Sequence, residues 1–227
     1  MGLREIQTKW VEKFIEMQRG NEEGLLAAPF LSVPFESDFA GKSGAILLVG
    51  KATAGPWCRD NFLAELKTSS GVSEVVEERR SITREHLNFR KERDSRPPAF
   101  WRFRRSLGKI GSPVIWTNLA KIGVTHGNPK GAQLNAQREL ACDTLKAEID
   151  EYEPKLVVIA CDYAKEQITY PVFGESSKWH KRDDGVCWIN RTGSSPAILW
   201  TDHPERKKQA VLFSWLEKAQ ELILQSS

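Results

Sequence analysis

The stretch ILLVGKATAGPW, residues 46–57, joins an apolar run to a loop of small residues. Such a run followed by glycine is typical of a strand buried in a parallel sheet. The segment AILWTDHPERKK, residues 197–208, repeats this order, with an apolar run that leads into a polar loop around His203. Because open α/β sheets bind ligands at the carboxyl ends of their strands, the two stretches predict one pocket built from both.

Apolar runs alternate with helical segments along the chain, which predicts an α/β fold. Strands are predicted at residues 45–49, 114–117, 154–160, 186–190 and 197–201. Helices are predicted at residues 3–19, 59–69, 73–92, 98–109, 132–150 and 205–224. We expect a three-layer α/β/α arrangement around a mainly parallel sheet of about four to five strands. The length fits a single domain over residues 1–227, with its core at about 45–224.

Composition excludes several classes of protein. No apolar run approaches the roughly 20 residues that a membrane-spanning helix needs, and the N-terminal MGLREIQTKW is charged rather than signal-like. We therefore expect a cytoplasmic protein without a membrane partner. The cysteines at 58, 142, 161 and 187 form no C-x-x-C pair, so neither a zinc site nor a disulfide framework is predicted.

The sequence lacks the dinucleotide-binding and serine-hydrolase motifs, and its one partial match to a phosphate loop is incomplete. The GKS at residues 41–43 precedes its strand and lacks the leading glycine of a phosphate loop, because Glu36 stands there. No G-x-G-x-x-G follows a strand, and no G-x-S-x-G occurs. Dehydrogenase and serine-hydrolase chemistry are thus not indicated.

Residues 79–109 form a basic segment, with eleven Lys or Arg against three acidic residues. Aromatic side chains are interleaved with this charge, which suits phosphate contacts combined with base stacking. A solvated helical face with its aromatic residues turned inward explains the pattern equally well. The predicted phosphate contacts, including those of the loop after His203, are Arg102, Arg104, Arg105, Arg206, Lys207 and Lys208.

Polar segments follow four predicted strands in the order GKATAG (50–55), TNLAKIG (117–123), CDYA (161–164) and DHPERK (202–207). Over roughly residues 45–220 this order resembles the uracil-DNA glycosylase superfamily. In that family a glycine-led loop, an asparagine and a His-Pro loop surround a flipped base. TNLAK is most similar to the iron–sulfur branch, but the cysteines of that branch are missing, so we expect no metal and no other cofactor.

The resemblance implies a role for each matching residue. Asn118 would pair with O4 and N3–H of uracil, and His203 would stabilise the negative charge that develops on the departing base. A turn-forming asparagine and an ordinary surface histidine are the alternatives. A flipped base would stack on Trp57 or alternatively on Phe62, and Trp57 is just as plausibly a core residue. The remaining residues expected around the substrate are Gly50, Lys51, Ala52, Gly55 and Pro204.

The first loop departs from the family pattern where a water-orienting acid is expected. Ala52 stands at the position that is acidic in many members, and Lys51 at the position that is acidic in the iron–sulfur branch. Thr53 or Asp60 would then have to hold the attacking water. Three hypotheses follow: a DNA glycosylase, a catalytically impaired binder of DNA or nucleotides with the same fold, and a module whose basic segment binds an acidic protein.

Overall fold

The computed structural model describes residues 2–19, 26–33, 44–52, 62–92, 98–110, 112–124, 127–161, 163–175, 179–183, 186–190, 195–205 and 207–225. Its strands are β1 (Ile46–Ala52), β2 (Val114–Ala120), β3 (Leu156–Ala160), β4 (His180–Lys181), β5 (Cys187–Ile189) and β6 (Ala197–Thr201). Its helices are α1 (Leu3–Arg19), α2 (Phe62–Thr68), α3 (Val72–Glu92), α4 (Ala99–Gly108), α5 (Gly131–Asn135), α6 (Arg138–Tyr152), α7 (Tyr170–Phe173) and α8 (Gln209–Gln225).

The six strands form one mixed sheet in the order β2-β1-β3-β6-β5-β4. The first four are mutually parallel, and β5 and β4 extend the sheet in antiparallel fashion beyond β6. The fold is therefore α/β with a mainly parallel centre, as predicted, but the expected strand number was too low. The additional strand, β4, is the exposed pair His180–Lys181, whose two polar residues carry no apolar signal.

Helices cover both faces of the sheet. On one face, α4 and α8 pack over alternate residues of the parallel strands through Phe103, Leu107 and Trp215. On the other face, α1 and α6 pack over the intervening residues, with Trp10 and Leu145 fully or almost fully buried. We call these the α4/α8 face and the α1/α6 face. Within the described residues, no helix has the length and apolar content needed to cross a membrane.

Most of the predicted helices are present, with three differences. The helix expected at 132–150 is divided into α5 and α6 by a turn at Ala136 and Gln137. The last helix begins at Gln209 instead of residue 205. Between β3 and α7 the chain forms a π-helix, Lys165–Thr169, in a region that was expected to be turn-rich only from residue 168 onward.

Strand β2 is longer than predicted, and this matters for the site. Its hydrogen-bonded pairing with β1 continues through Gly50 opposite Asn118 and Ala52 opposite Ala120. The polar residues expected in loops, Gly50 and Asn118 among them, are therefore part of the strands. These residues extend the strands because hydrogen bonds between β1 and β2 satisfy their backbone groups. A sequence reading based on local polarity did not predict this extension.

Candidate functional site

Gly50 and Asn118 are brought together by the register of β1 and β2. A Cβ atom placed on Gly50 would lie 2.6 Å from Asn118 Oδ1, 3.3 Å from Trp116 Nε1 and 3.4 Å from Phe100 Cζ. Three side chains thus converge on one point over the Gly50 backbone. Only glycine leaves room for them, because a contact of 2.6 Å is far inside van der Waals distance.

Two hydrogen-bond donors at this point lack a partner among the residues that the structure describes. Asn118 is 4% exposed and Trp116 is 9% exposed, yet within that part of the chain Asn118 Nδ2 and Trp116 Nε1 donate to no group. A buried polar group without a partner costs about 1–3 kcal/mol. Six other buried side-chain atoms of the described residues also lack a partner, so the position of these two donors, together over Gly50, is what suggests a ligand that would supply the acceptors.

Aromatic rings surround the two donors. Trp116 packs against Phe30 with ring centroids 4.4 Å apart and against Trp101 at 4.9 Å. Phe100 lies 6.1 Å from Trp116 and 6.0 Å from His203, and its ring is within 12° of parallel to the imidazole. Phe100 therefore connects the Gly50 and Asn118 pair to His203, and a flat ligand would have parallel ring faces beside it.

His203 lies two residues beyond the end of β6, with its side chain 26% exposed. The backbone N–H of Glu205 donates to His203 Nδ1 over 3.3 Å, and buried Pro204 separates the two residues. In the neutral ring, an Nδ1 that accepts leaves the proton on Nε2. In that tautomer the N–H of His203 lies on the ring nitrogen opposite the Glu205 contact.

The end of β1 carries no carboxylate. Ala52 shares the face of Gly50, whereas Lys51, between them, points to the opposite face because strand side chains alternate. Both residues are half-buried. Lys51 is accordingly not brought to Asn118, although it was predicted to contact the substrate.

Phe62 is a core residue in the structure. It is 2% exposed, meets Phe14 edge-on with ring centroids 4.9 Å apart, and lies under the Arg79 guanidinium at 4.7 Å. These contacts belong to the α1/α6 face, so Phe62 packs in the core and is not at the Gly50 and Asn118 pair. The other predicted residues of the first loop, together with one basic residue, lie outside the described part of the chain: Thr53, Gly55, Trp57, Asp60 and Arg206.

The basic segment is divided between two helices, and part of it serves the fold. Arg79 is completely buried in α3. In α4, Arg104 donates to the Val114 carbonyl over 3.0 Å, while Arg102 is exposed and Arg105 half-buried. The segment therefore combines both interpretations of the sequence, since some of its cations face the protein and others the solvent.

The two described basic residues after His203 also differ. Lys207 Nζ lies 2.6 Å from Asp202 Oδ2 and pairs with that carboxylate. Lys208 is exposed just before α8. Arg102 and Lys208 are consequently the predicted phosphate contacts that are most open to solvent among those described.

A second polar cluster, which was not predicted, is buried on the α1/α6 face. Glu148 of α6 accepts from Lys121 Nζ at 2.7 Å, from Thr117 Oγ1 at 2.8 Å and from Ser32 Oγ at 2.6 Å. Tyr152 lies beside Ser32, with 3.3 Å between their hydroxyl oxygens. Burial lowers the pKa of Lys121, and the Glu148 carboxylate partly offsets that shift. The available sequence signal was the position of Glu148, three residues after Leu145 and seven after Ala141, on the apolar face of the helix.

The described cysteines are dispersed and unbridged. Cys142 lies in α6, Cys161 follows β3 and Cys187 begins β5. Among the residues that the structure describes, no group of three or more His, Cys, Asp or Glu is arranged to hold a metal ion. Cys58 lies outside them, so the expected absence of a cluster stays a prediction.

The arrangement is thus a buried point with two unpaired donors, one adjacent carbonyl acceptor on Asn118, aromatic walls and an imidazole at its edge. Sequence reasoning named Gly50, Asn118 and His203, and considered Phe100 only as one of the aromatic residues interleaved with the basic segment, but it missed Trp116. Trp116 was visible only as one apolar residue of a predicted strand. No protein-family model and no curated protein sequence matches this chain, so its resemblance to the glycosylases depends on the residues described above.

Proposed function

We propose that this protein is a DNA glycosylase with the fold of the uracil-DNA glycosylase superfamily, which hydrolyses the N-glycosidic bond of uracil or another damaged base. The observation that carries the proposal is the pair of unpaired buried donors, Asn118 Nδ2 and Trp116 Nε1, over the backbone of Gly50. Enzymes that act on a base in DNA take it out of the stack and hydrogen-bond its pairing edge in such a pocket.

The donors and acceptor suit a base that carries a carbonyl next to a ring N–H. An indole N–H can only donate, so Trp116 requires an acceptor such as a base carbonyl oxygen. Asn118 offers a further donor to that edge and Oδ1 as an acceptor for the ring N–H. Cytosine presents an amino group in place of the carbonyl, and this would leave the buried donors unpaired. The site should therefore favour uracil over cytosine.

His203 would act on the leaving base. When water attacks C1′ of the sugar, the bond to the base nitrogen breaks and its electron pair spreads onto O2 of the departing ring. A fixed imidazole N–H lowers the barrier if it is already aimed at that oxygen. The Glu205 backbone N–H favours the tautomer that keeps the proton on Nε2, which is the form that this role needs.

A binder of the same fold is the second candidate, and one observation favours it. Ala52 stands on the Gly50 face, where an acid would orient the attacking water, and the strand end offers no carboxylate in its place. Such a protein would hold a flipped base or a nucleotide without cleaving the bond. The exposed Arg102 and Lys208 would contribute phosphate contacts in either case.

An abasic-product assay tests the proposal on single- and double-stranded oligonucleotides that contain uracil, hypoxanthine or a mismatch. We expect uracil release by the wild type and a loss of about 10²–10³ in rate for His203→Ala, the range for removing one donor that acts in the transition state. His180→Ala is the matched control, because His180 also packs parallel to an aromatic ring, Trp188 at 5.4 Å, but on the far edge strand.

Binding of the same oligonucleotides, compared with base release, separates the two candidates. Substrate binding should barely change in His203→Ala if the residue acts on the leaving group. A wild type that releases no base but binds uracil-containing DNA would support the binder. Full activity of His203→Ala in an active enzyme would refute the leaving-group role. Asn118→Asp should shift preference toward bases with an amino group at the recognised edge, because a carboxylate offers only acceptors.

A further inference from the structure

A second cavity, of about 200 Å³, opens at the carboxyl end of β6. Trp200 of this strand packs in the hydrophobic cluster of the α1/α6 face. The cavity therefore adjoins that face, whereas Phe100 packs against the cluster of the opposite one. It is lined by Lys165, Tyr170, Trp179, Lys181, Cys187, Trp200, Thr201 and Asp202.

Three aromatic rings form its walls. Trp200 is packed edge-on by Trp179, with centroids 5.0 Å apart, and by Tyr170 at 5.7 Å. Both indole N–H groups are already used, since Trp200 donates to the Cys161 carbonyl over 2.6 Å and Trp179 to the Gly174 carbonyl over 3.1 Å. The rings consequently offer apolar surface to a ligand instead of hydrogen bonds.

The charge of the cavity is positive. Lys207 neutralises Asp202 through a contact of 2.6 Å. Lys165 and Lys181 contact no carboxylate within the described part of the chain, and Lys165 Nζ lies 4.7 Å from the centre of the Trp200 ring. Two ammonium groups without a counter-charge, next to aromatic walls, favour an anion that is attached to an apolar or planar group.

The backbone that supplies Lys165 is unusual. Lys165 begins the π-helix, and the preceding Ala164 has a φ of 55°, in the left-handed region that residues other than glycine rarely adopt. Both features cost free energy and are concentrated at functional sites. Here they turn the chain after β3 so that Lys165 reaches the Trp200 ring.

We infer that this cavity binds the phosphate of a nucleotide unit through Lys165 and Lys181, with an apolar part of the nucleotide against the Trp179 and Trp200 walls. The nucleotide has two possible sources, a free mononucleotide or a nucleotide within a DNA strand. The inference does not depend on base release at Asn118.

Calorimetric titration with deoxyuridine monophosphate, deoxyuridine and a short single-stranded oligothymidine tests this site. The tested variant is Lys165→Gln combined with Lys181→Gln, which removes both charges and keeps polar side chains that are one atom shorter. A charge-assisted hydrogen bond contributes about 1.5–3 kcal/mol, so we expect affinity for a phosphate-bearing ligand to fall at least about tenfold. Lys9→Gln combined with Lys67→Gln makes the same change in net charge at two exposed positions and should leave affinity unchanged.

The pattern of losses identifies the source. A loss for the mononucleotide indicates a free-nucleotide site, and a loss confined to the oligonucleotide indicates a contact with a DNA strand. Unchanged affinity for both ligands in the Lys165 and Lys181 variant would overturn the inference. So would deoxyuridine that binds as tightly as its monophosphate, because the lysines would then have no role. Circular dichroism and the melting temperature show whether the variant is folded.

Discussion

Thr117 and Asn118 are neighbours on β2, but their side chains meet opposite conditions on the two faces of the sheet. The Thr117 hydroxyl donates to Glu148 at 2.8 Å within a cluster where buried polar atoms are paired. The Asn118 amide nitrogen is buried and has no partner within the described part of the chain. The same strand thus carries a satisfied polar cluster that holds the fold and an unsatisfied one that suits a ligand. The difference shows that burial alone does not identify a candidate functional residue, because equally buried polar side chains on the two faces differ in whether the protein pairs them.

The largest effect on stability should come from the α1/α6 face, where the buried polar atoms of Glu148, Lys121 and Thr117 are paired. Glu148→Gln keeps the size of the side chain but leaves the Lys121 ammonium buried without its carboxylate, and breaking a buried ion pair in this way costs about 3–5 kcal/mol. Urea unfolding monitored by circular dichroism would measure the loss. Glu151→Gln, at an exposed position on the same helix, should change the free energy of unfolding by no more than about 0.5 kcal/mol. Equal stabilities of the two variants would mean that the cluster does not hold the fold.

A smaller effect on stability is expected on the other face of the sheet, where side chains pack closely over Gly50. Gly50→Ala would place a methyl group 2.6 Å from Asn118 Oδ1, and overpacking of this kind costs about 1–3 kcal/mol. Displacement of Asn118 should also abolish uracil release. Gly71→Ala is a suitable control, since a Cβ there meets nothing within 4 Å. A Gly50→Ala protein with wild-type stability and activity would show that the three side chains do not need this gap.

The smallest effect gives the sharpest test of the comparison. Asn118→Leu removes a buried amide that has no partner, so the protein should be as stable as the wild type or more stable by about 1 kcal/mol, while base recognition is lost. Thr117→Val removes a hydrogen bond to a carboxylate and should destabilise by about 1.5–3 kcal/mol. Thermal unfolding of both variants would measure the contrast. If Asn118→Leu proves the less stable of the two, Asn118 belongs to the fold and not to a ligand site.

Much of the architecture follows from local pattern. The runs ILLV, VIW and LVVIA are apolar without interruption, because strands covered by helices on both faces bury every side chain. The amphipathic spacing of α1 and the apolar spacing of α6 are likewise local properties. The order of polar residues after these runs then placed Gly50, Asn118 and His203 at one edge of a parallel sheet, since the carboxyl ends of parallel strands meet there.

The buried contacts between distant residues could not be predicted from local sequence patterns. Lys121 and Glu148 are 27 residues apart in the chain, and each alone is an ordinary charged residue of a strand end and a helix. Their pairing depends on which face α6 covers and on its position along β2. The same is true of Phe100, whose ring reaches both Gly50 and His203 only because α4 crosses the face above them.

The sequence by itself determined the α/β class, the parallel strands and the edge at which polar residues gather, because burial of apolar runs is decided residue by residue. Only the tertiary structure decided that β2 continues through Asn118, that Trp116 and Phe100 close over Gly50, and that Lys165 reaches Trp200. Those outcomes depend on strand register and on the packing of helices against the sheet. Both are set by contacts between residues far apart in the chain, and such contacts leave no periodic signal in either segment.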